Sequence, residues 1–153
     1  MIGALATPAL YRGISQLAGP AINLWLARRR KQGKEDTTRF TERFGHAGQV
    51  RPEGRLVWAH GASVGEALAV LPLAEYLVAE GLSVLITSGT VTSAQILESR
   101  LKMGMVHQYV PIDRPAAVRR FLNHWHPDAA LWVESELWPN LVLSTAARDI
   151  PMI

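Results

Sequence analysis

Three short stretches hold most of the residues able to do chemistry. In His60-Gly61-Ala62-Ser63-Val64-Gly65-Glu66, glycines allow a ligand to approach the backbone closely, and a helix opening there favours an anion. Glu66 is a carboxylate able to take a proton, but it stands three residues after Ser63. That is the S-x-x-E spacing of a capping box, which explains both residues without catalysis. In Thr87-Ser88-Gly89-Thr90-Val91-Thr92-Ser93, the hydroxyls of Thr87, Ser88 and Thr90 and the backbone N–H groups could hold a phosphate or a sugar. Ser88, Thr90 or Thr92 could equally cap the next helix. In Glu134-Ser135-Glu136-Leu137-Trp138-Pro139-Asn140, two acids two residues apart share one side of an extended chain, and their repulsion would raise one pKa. They could also hold a basic residue or face water. Trp138 offers a flat apolar wall or ordinary packing.

Several classes fall away on composition. The chain has no cysteine, so disulfides and thiolate chemistry are excluded. The five histidines show no H-x-x-x-H spacing, and a zinc site is not expected. The first stretch has neither the G-x-G-x-x-G fingerprint nor a Walker lysine, which disfavours nicotinamide and P-loop enzymes. Gly61-Ala62-Ser63-Val64-Gly65 does fit the G-x-S-x-G nucleophile elbow, so a serine hydrolase using Ser63 is an alternative, although no late strand-end histidine stands out to complete it. Net charge is +3, but residues 1–50 carry eight Lys/Arg against three acids and residues 51–153 eight against ten. Excess positive charge therefore sits at the front, without interleaved aromatics, and points to anionic lipid rather than nucleic acid.

The elements that must position these residues are legible in outline. Residues 1–31 are largely apolar and end in Arg28-Arg29-Arg30-Lys31. Arg12, Pro8, Gly13 and Pro20 interrupt a run that would otherwise approach the ~20 apolar residues of a spanning helix. The segment reads as an uncleaved amphipathic anchor or a poor transmembrane helix, its basic cluster at the cytoplasmic surface; the plainer alternative is a helix packed on the domain. Residues 32–54 read as a connector with a short helix near Thr38–Phe44. From residue 55 apolar strands alternate with helices: strands at Leu56–Ala59, Leu82–Thr87, His107–Val110 and Ala129–Val133, and helices at Glu66–Ala79, Ser93–Leu101, from Arg114-Pro115 with Asp113 as cap, and Pro139–Ala147. This is the α/β pattern of a parallel sheet covered on both faces, with ligands at the strand carboxyl ends. Ile150–Ile153 reads as the start of a fifth strand, suggesting a fragment.

Taken together, the three stretches resemble the 3-deoxy-D-manno-octulosonic acid (Kdo) transferase family of lipopolysaccharide biosynthesis. The resemblance rests on Trp58–Glu66, Thr87–Ser93, the Pro111-Ile112-Asp113 step with Val118–Leu122 after it, Glu134–Asn140, and a front end where a hydrophobic segment and a basic stretch precede Arg43-Phe44-Gly45. It covers essentially the whole chain; Ser93 stands where the family usually has glycine. It implies the amino-terminal, Rossmann-like half of a GT-B glycosyltransferase, associated with the cytoplasmic face of the bacterial inner membrane. This half would bind the acceptor, a lipid A precursor. CMP-Kdo, the donor, would bind a carboxy-terminal domain beyond this chain, leaving the 153 residues inactive alone. By the resemblance Glu66 is the general base of an inverting transfer, with Ser63, Gly65, Thr87, Ser88, Thr90, Glu134 and Glu136 binding or supporting the acceptor. Arg28, Arg29, Arg30 and Lys31 would face the membrane, and neither a metal nor a cofactor is expected. A non-catalytic, membrane-associated binding module is the other reading.

Overall fold

A computed structural model of the chain describes residues 3–133 and 138–153, with side chains from Thr7 onward. Two helices come first, α1 (Gly3–Leu17) and α2 (Gly19–Lys31), followed by a 3-10 turn at Phe40–Phe44. The regular part then runs β1 (Leu56–His60), α3 (Val64–Ala79), β2 (Ser83–Ser88), α4 (Val91–Glu98), β3 (Met105–Tyr109), α5 (Pro115–Trp125), β4 (Ala129–Trp132) and α6 (Pro139–Ala146). Boundaries move by a few residues from the expected ones, because the caps sit at Ser63 and Thr90 rather than further into the apolar runs.

All strand pairs are parallel, in the order β3-β2-β1-β4. The terminal segment adds to this order on the far side of β4. Met152 forms a parallel bridge with Ala130, and the Ala130 N–H donates to the Pro151 carbonyl at 2.8 Å. The expected fifth strand is therefore present in outline, completing the doubly wound order. The strands are mostly apolar because both faces are covered, with buried polar residues at the carboxyl ends of β1 and β2 and in β3. Leu56, Trp58, Leu85 and Ala130 pack under α5 and α6 with Phe121, Leu122, Trp125 and Leu141. Val84, Ile86 and Ala59 pack under α3 and α4 with Ala67, Val70 and Leu97. Parallel connectivity brings the loops after β1, β2, β3 and β4 to one edge.

The connector is less loose than its polar sequence suggests. Glu42 and Arg43, in the 3-10 turn, are buried. Glu42 Oε2 accepts the Tyr109 N–H at 2.8 Å, and its carboxylate takes both the Nε (2.9 Å) and Nη2 (3.0 Å) of Arg39. Gly45 follows with φ of +81°, and a Cβ there would collide with the backbone carbonyl of Ala117 in α5. Only glycine satisfies that conformation and that close approach together.

Asp113 does not cap α5, whose N-cap residue is Arg114 and which has no side-chain cap. Its carboxylate instead accepts the N–H groups of Asn140 (3.0 Å) and Leu141 (2.8 Å), opening α6, and the hydroxyl of Tyr11 from α1 (2.9 Å). Asn140 Nδ2 in turn donates to Ser15 Oγ at 3.0 Å, and Arg12 donates to Ser144 Oγ at 3.2 Å. These polar clamps fasten α1 to α6, as the packed-helix alternative anticipated. Among the described residues no helix is long and apolar enough to cross a membrane.

Candidate active site

Glu66 stands in the first turn of α3, in the loop leaving β1. Gly61 lies tight against the helix start; a Cβ there would be 2.8 Å from the Ala67 nitrogen and 2.9 Å from the Glu66 carbonyl carbon. Ser63, extended at φ −100°, is the N-cap: its Oγ accepts the Glu66 N–H at 3.2 Å. Glu66 Oε2 reaches back to accept the Ala62 N–H at 2.7 Å. The capping box is thus formed, yet the carboxylate remains half-buried at the wall of a cleft. The Ser63 hydroxyl and then the Ala62 and Ser63 backbone groups hold Glu66 below the ordinary carboxylate range, so it is ionised at neutral pH. Gly65 is exposed and has open space where a side chain would be.

In the loop after β2, Thr90 is the cap, its Oγ1 accepting the Ser93 N–H at 3.0 Å, and it also lines the cleft. Thr87 and Ser88 turn inward and are fully buried. Thr87 Oγ1 accepts the Trp58 indole N–H at 2.8 Å and lies 3.0 Å from His60 Nδ1; Ser88 Oγ lies 2.9 Å from His107 Nε2. Their hydroxyls set the geometry beneath the site rather than offering themselves to a ligand. Burial lowers His60 to about 4, and burial with the nearby Arg39 and Arg43 lowers His107 to about 3, so both are neutral near pH 7.

The cleft itself, about 690 Å³, lies between the α1–α2 segment and the carboxyl edge of the sheet. α2 continues α1 through the helical residue Ala18, with the bonds Ala18 N–H to Ile14 O and Ile22 N–H to Ala18 O carried across the junction. Ile14, Ile22, Trp25 and Leu26 form the helical wall; Val110, Pro111, Ile112 and Trp138 face them. The polar groups Ser63, Glu66 and Thr90 also line it. One corner carries an ion cluster: Glu35 accepts Arg29 Nε at 2.6 Å and Arg43 Nε at 2.9 Å. Arg43 also donates to the carbonyls of Val110 (3.2 Å) and Gly89.

This cluster divides the basic run. Arg29 turns inward to Glu35, its guanidinium 4.8 Å from the Trp25 ring centroid. Arg30 donates to the Thr37 carbonyl at 3.3 Å, while Arg28 and Lys31 are exposed. Of the four basic residues expected at the membrane, Arg29 is paired with the buried Glu35, which takes Arg43 as its second cation. Glu35, Arg43, Asp113 and Tyr11 were not singled out as site residues by their sequence. The local signals were the Arg43-Phe44-Gly45 and Pro111-Ile112-Asp113 steps; Glu35 and Tyr11 are tertiary partners.

Ser63 serves as a helix cap, and His60 Nδ1 lies against Thr87, so the serine-hydrolase geometry is not formed. Glu134 and Glu136 lie outside the described residues. Among those described, no cluster of three or more His, Asp or Glu is placed to hold a metal ion.

Comparison with known proteins points one way. The profile described as 3-deoxy-D-manno-octulosonic-acid transferase (kdotransferase) matches residues 38–153. A probable mitochondrial 3-deoxy-D-manno-octulosonic acid transferase of Arabidopsis thaliana is 40% identical over 145 residues, covering 94% of this chain and 32% of that protein. The 3-deoxy-D-manno-octulosonic acid transferase of Rickettsia bellii is 39% identical, covering 91% of this chain and 34% of that protein. That of Bordetella pertussis is 37% identical, covering 92% and 36%. The chain thus spans about a third of the length of these curated relatives.

Proposed function

This chain belongs to the Kdo transferase family, and from that premise we propose that it is the acceptor-binding half of a glycosyltransferase moving Kdo from CMP-Kdo to a lipid A precursor. The observation that carries this reading is the position of Glu66: an ionised carboxylate held on a helix first turn, at the wall of a largely apolar cleft. A lipid acceptor needs an apolar surface beside a group that can activate its hydroxyl. The donor nucleotide would bind in the part of the protein that the relatives carry beyond the matched third.

In the reaction, the acceptor hydroxyl oxygen attacks the anomeric carbon of Kdo as the bond from that carbon to the phosphate oxygen of CMP breaks. The configuration inverts. The hydroxyl proton passes to Glu66, and CMP leaves with the electron pair of the broken bond. The Ala62 N–H, holding Oε2 at 2.7 Å, fixes the carboxylate's direction before the substrate arrives, which is the geometric requirement on a general base. Ser63, Gly65 and Thr90 border the acceptor. Thr87 and Ser88 brace the loops from below. Glu134 and Glu136 would orient the acceptor from the loop after β4.

Mass spectrometry of a lipid A precursor incubated with CMP-Kdo tests the reading. The complete reading frame should give a Kdo-sized mass increment, and this chain alone none. Glu66→Gln in the complete protein should lower turnover by about 10²–10⁴ with unchanged thermal unfolding. No increment from the complete frame overturns the function; unchanged turnover in Glu66→Gln overturns the base.

A further inference from the structure

The geometry points to the cleft between the bent α1–α2 helix and the sheet edge as a site for one acyl chain of the acceptor, making that helix part of the substrate site. This rests on the proposed lipid acceptor and specifies where its chain lies.

The first argument is the composition of the walls. Ile14, Ile22, Leu26, Val110 and Ile112 supply apolar walls to a cleft of about 690 Å³ in all, in the range of pockets that enclose small ligands. The second is how few polar partners those walls offer. The carbonyls of Gly89 and Val110, which would otherwise face the cleft, are taken by Arg43. The Asp113 carboxylate is taken by Tyr11 and the amino-terminus of α6, and Glu35 by Arg29 and Arg43. A peptide laid there would leave amides without partners, at the cost of burying unpaired polar groups. An alkyl chain asks for none. The third is continuity. Ile14 and Trp25 line the cleft and are also more than half exposed, on helices that show Leu10, Leu17 and Leu24 to the outside. An apolar path therefore runs from the outer face of the α1–α2 helix into the cleft that also contains Glu66. An amphiphile whose chain enters from the helix side brings its polar head towards Ser63, Glu66 and Thr90.

The test uses this chain and a graded series of monoacylated glucosamine phosphates below their micelle concentration, titrated by calorimetry. Affinity should rise roughly fourfold per added methylene, from about 0.8 kcal/mol each, and then stop rising when the cleft is full. Ile22→Asp and Ile112→Asp should remove the length dependence. Met103→Asp, at a fully exposed position before β3, should leave it unchanged. Because a buried charge can unfold a domain, Ile22→Trp provides a second variant: added bulk should move the plateau to shorter chains. Affinity independent of chain length, or equal losses from Met103→Asp and Ile22→Asp, overturns the assignment. If the complete protein still transfers Kdo in that case, the function stands without the acyl site. Length-dependent binding without transfer would keep the site and remove the function.

Discussion

At position 66 one carboxylate both reaches back to the Ala62 N–H and lines the cleft, so the cap does not withdraw it from the proposed role of base. Ser63 caps the helix through its oxygen, while its hydroxyl helps to keep Glu66 ionised. A depressed pKa means that the base form persists to lower pH, so the acid limb of activity in the complete protein should lie below the ordinary glutamate range. Ser63→Ala removes the first cause of the depression. The expected outcome is an acid limb of kcat/KM displaced to higher pH, with the plateau little changed and stability lowered by about 1 kcal/mol from the lost cap. Ser63→Thr should restore both. An acid limb that stays in place in Ser63→Ala would show that another group titrates there. The S-x-x-E spacing was visible in the sequence, but whether the carboxylate still reached a cleft was not, because that depends on a helix more than thirty residues away.

The α/β alternation and the ligand-bearing edge were legible from apolar runs and turn residues, since each strand–helix period is a local signal. The docking of the first helix was not, because it is made by polar residues pairing over long separations. Asp113 illustrates the difference. Its place before Arg114-Pro115 suggested a cap for the helix that follows it; instead it caps α6, where two N–H groups and the Tyr11 hydroxyl converge. One side chain therefore joins α1, the loop after β3 and α6. Burial and the bond to Asp113 push the Tyr11 phenol up to about 12. Asp113→Ala should destabilise the domain by about 1–2 kcal/mol and speed amide exchange in α1 more than in β1. The Tyr11 phenol should also return towards the ordinary tyrosine value in an ultraviolet titration. If α1 exchange is unaltered while stability falls, the aspartate serves α6 alone and α1 is held by other contacts.

For the whole molecule the question is how a chain with no spanning helix among its described residues would meet the proposed lipid acceptor. The α1–α2 helix has a cleft side, clamped to the domain, and an outer side with Leu10, Leu17 and Leu24 exposed, followed by the exposed Arg28 and Lys31. That arrangement would suit a helix lying on a membrane surface. Arg28 and Lys31 would contribute roughly 1 kcal/mol each against anionic lipid. Arg29 is committed to Glu35 and should contribute little. Flotation with anionic liposomes separates these roles. The double substitution Arg28→Gln and Lys31→Gln should weaken association by about thirtyfold, with the remainder less sensitive to salt. Arg29→Gln should leave flotation nearly intact but lower the unfolding temperature, because Glu35 then keeps only Arg43 as its cation. A chain starting near Thr37 should lose both flotation and the acyl-length dependence, since the α1–α2 helix supplies both the outer surface and the cleft wall. If that truncation still floats equally well, membrane contact lies elsewhere. If Arg29→Gln weakens flotation as much as the double substitution, the inward arginine reaches lipid and the division of the basic run is wrong.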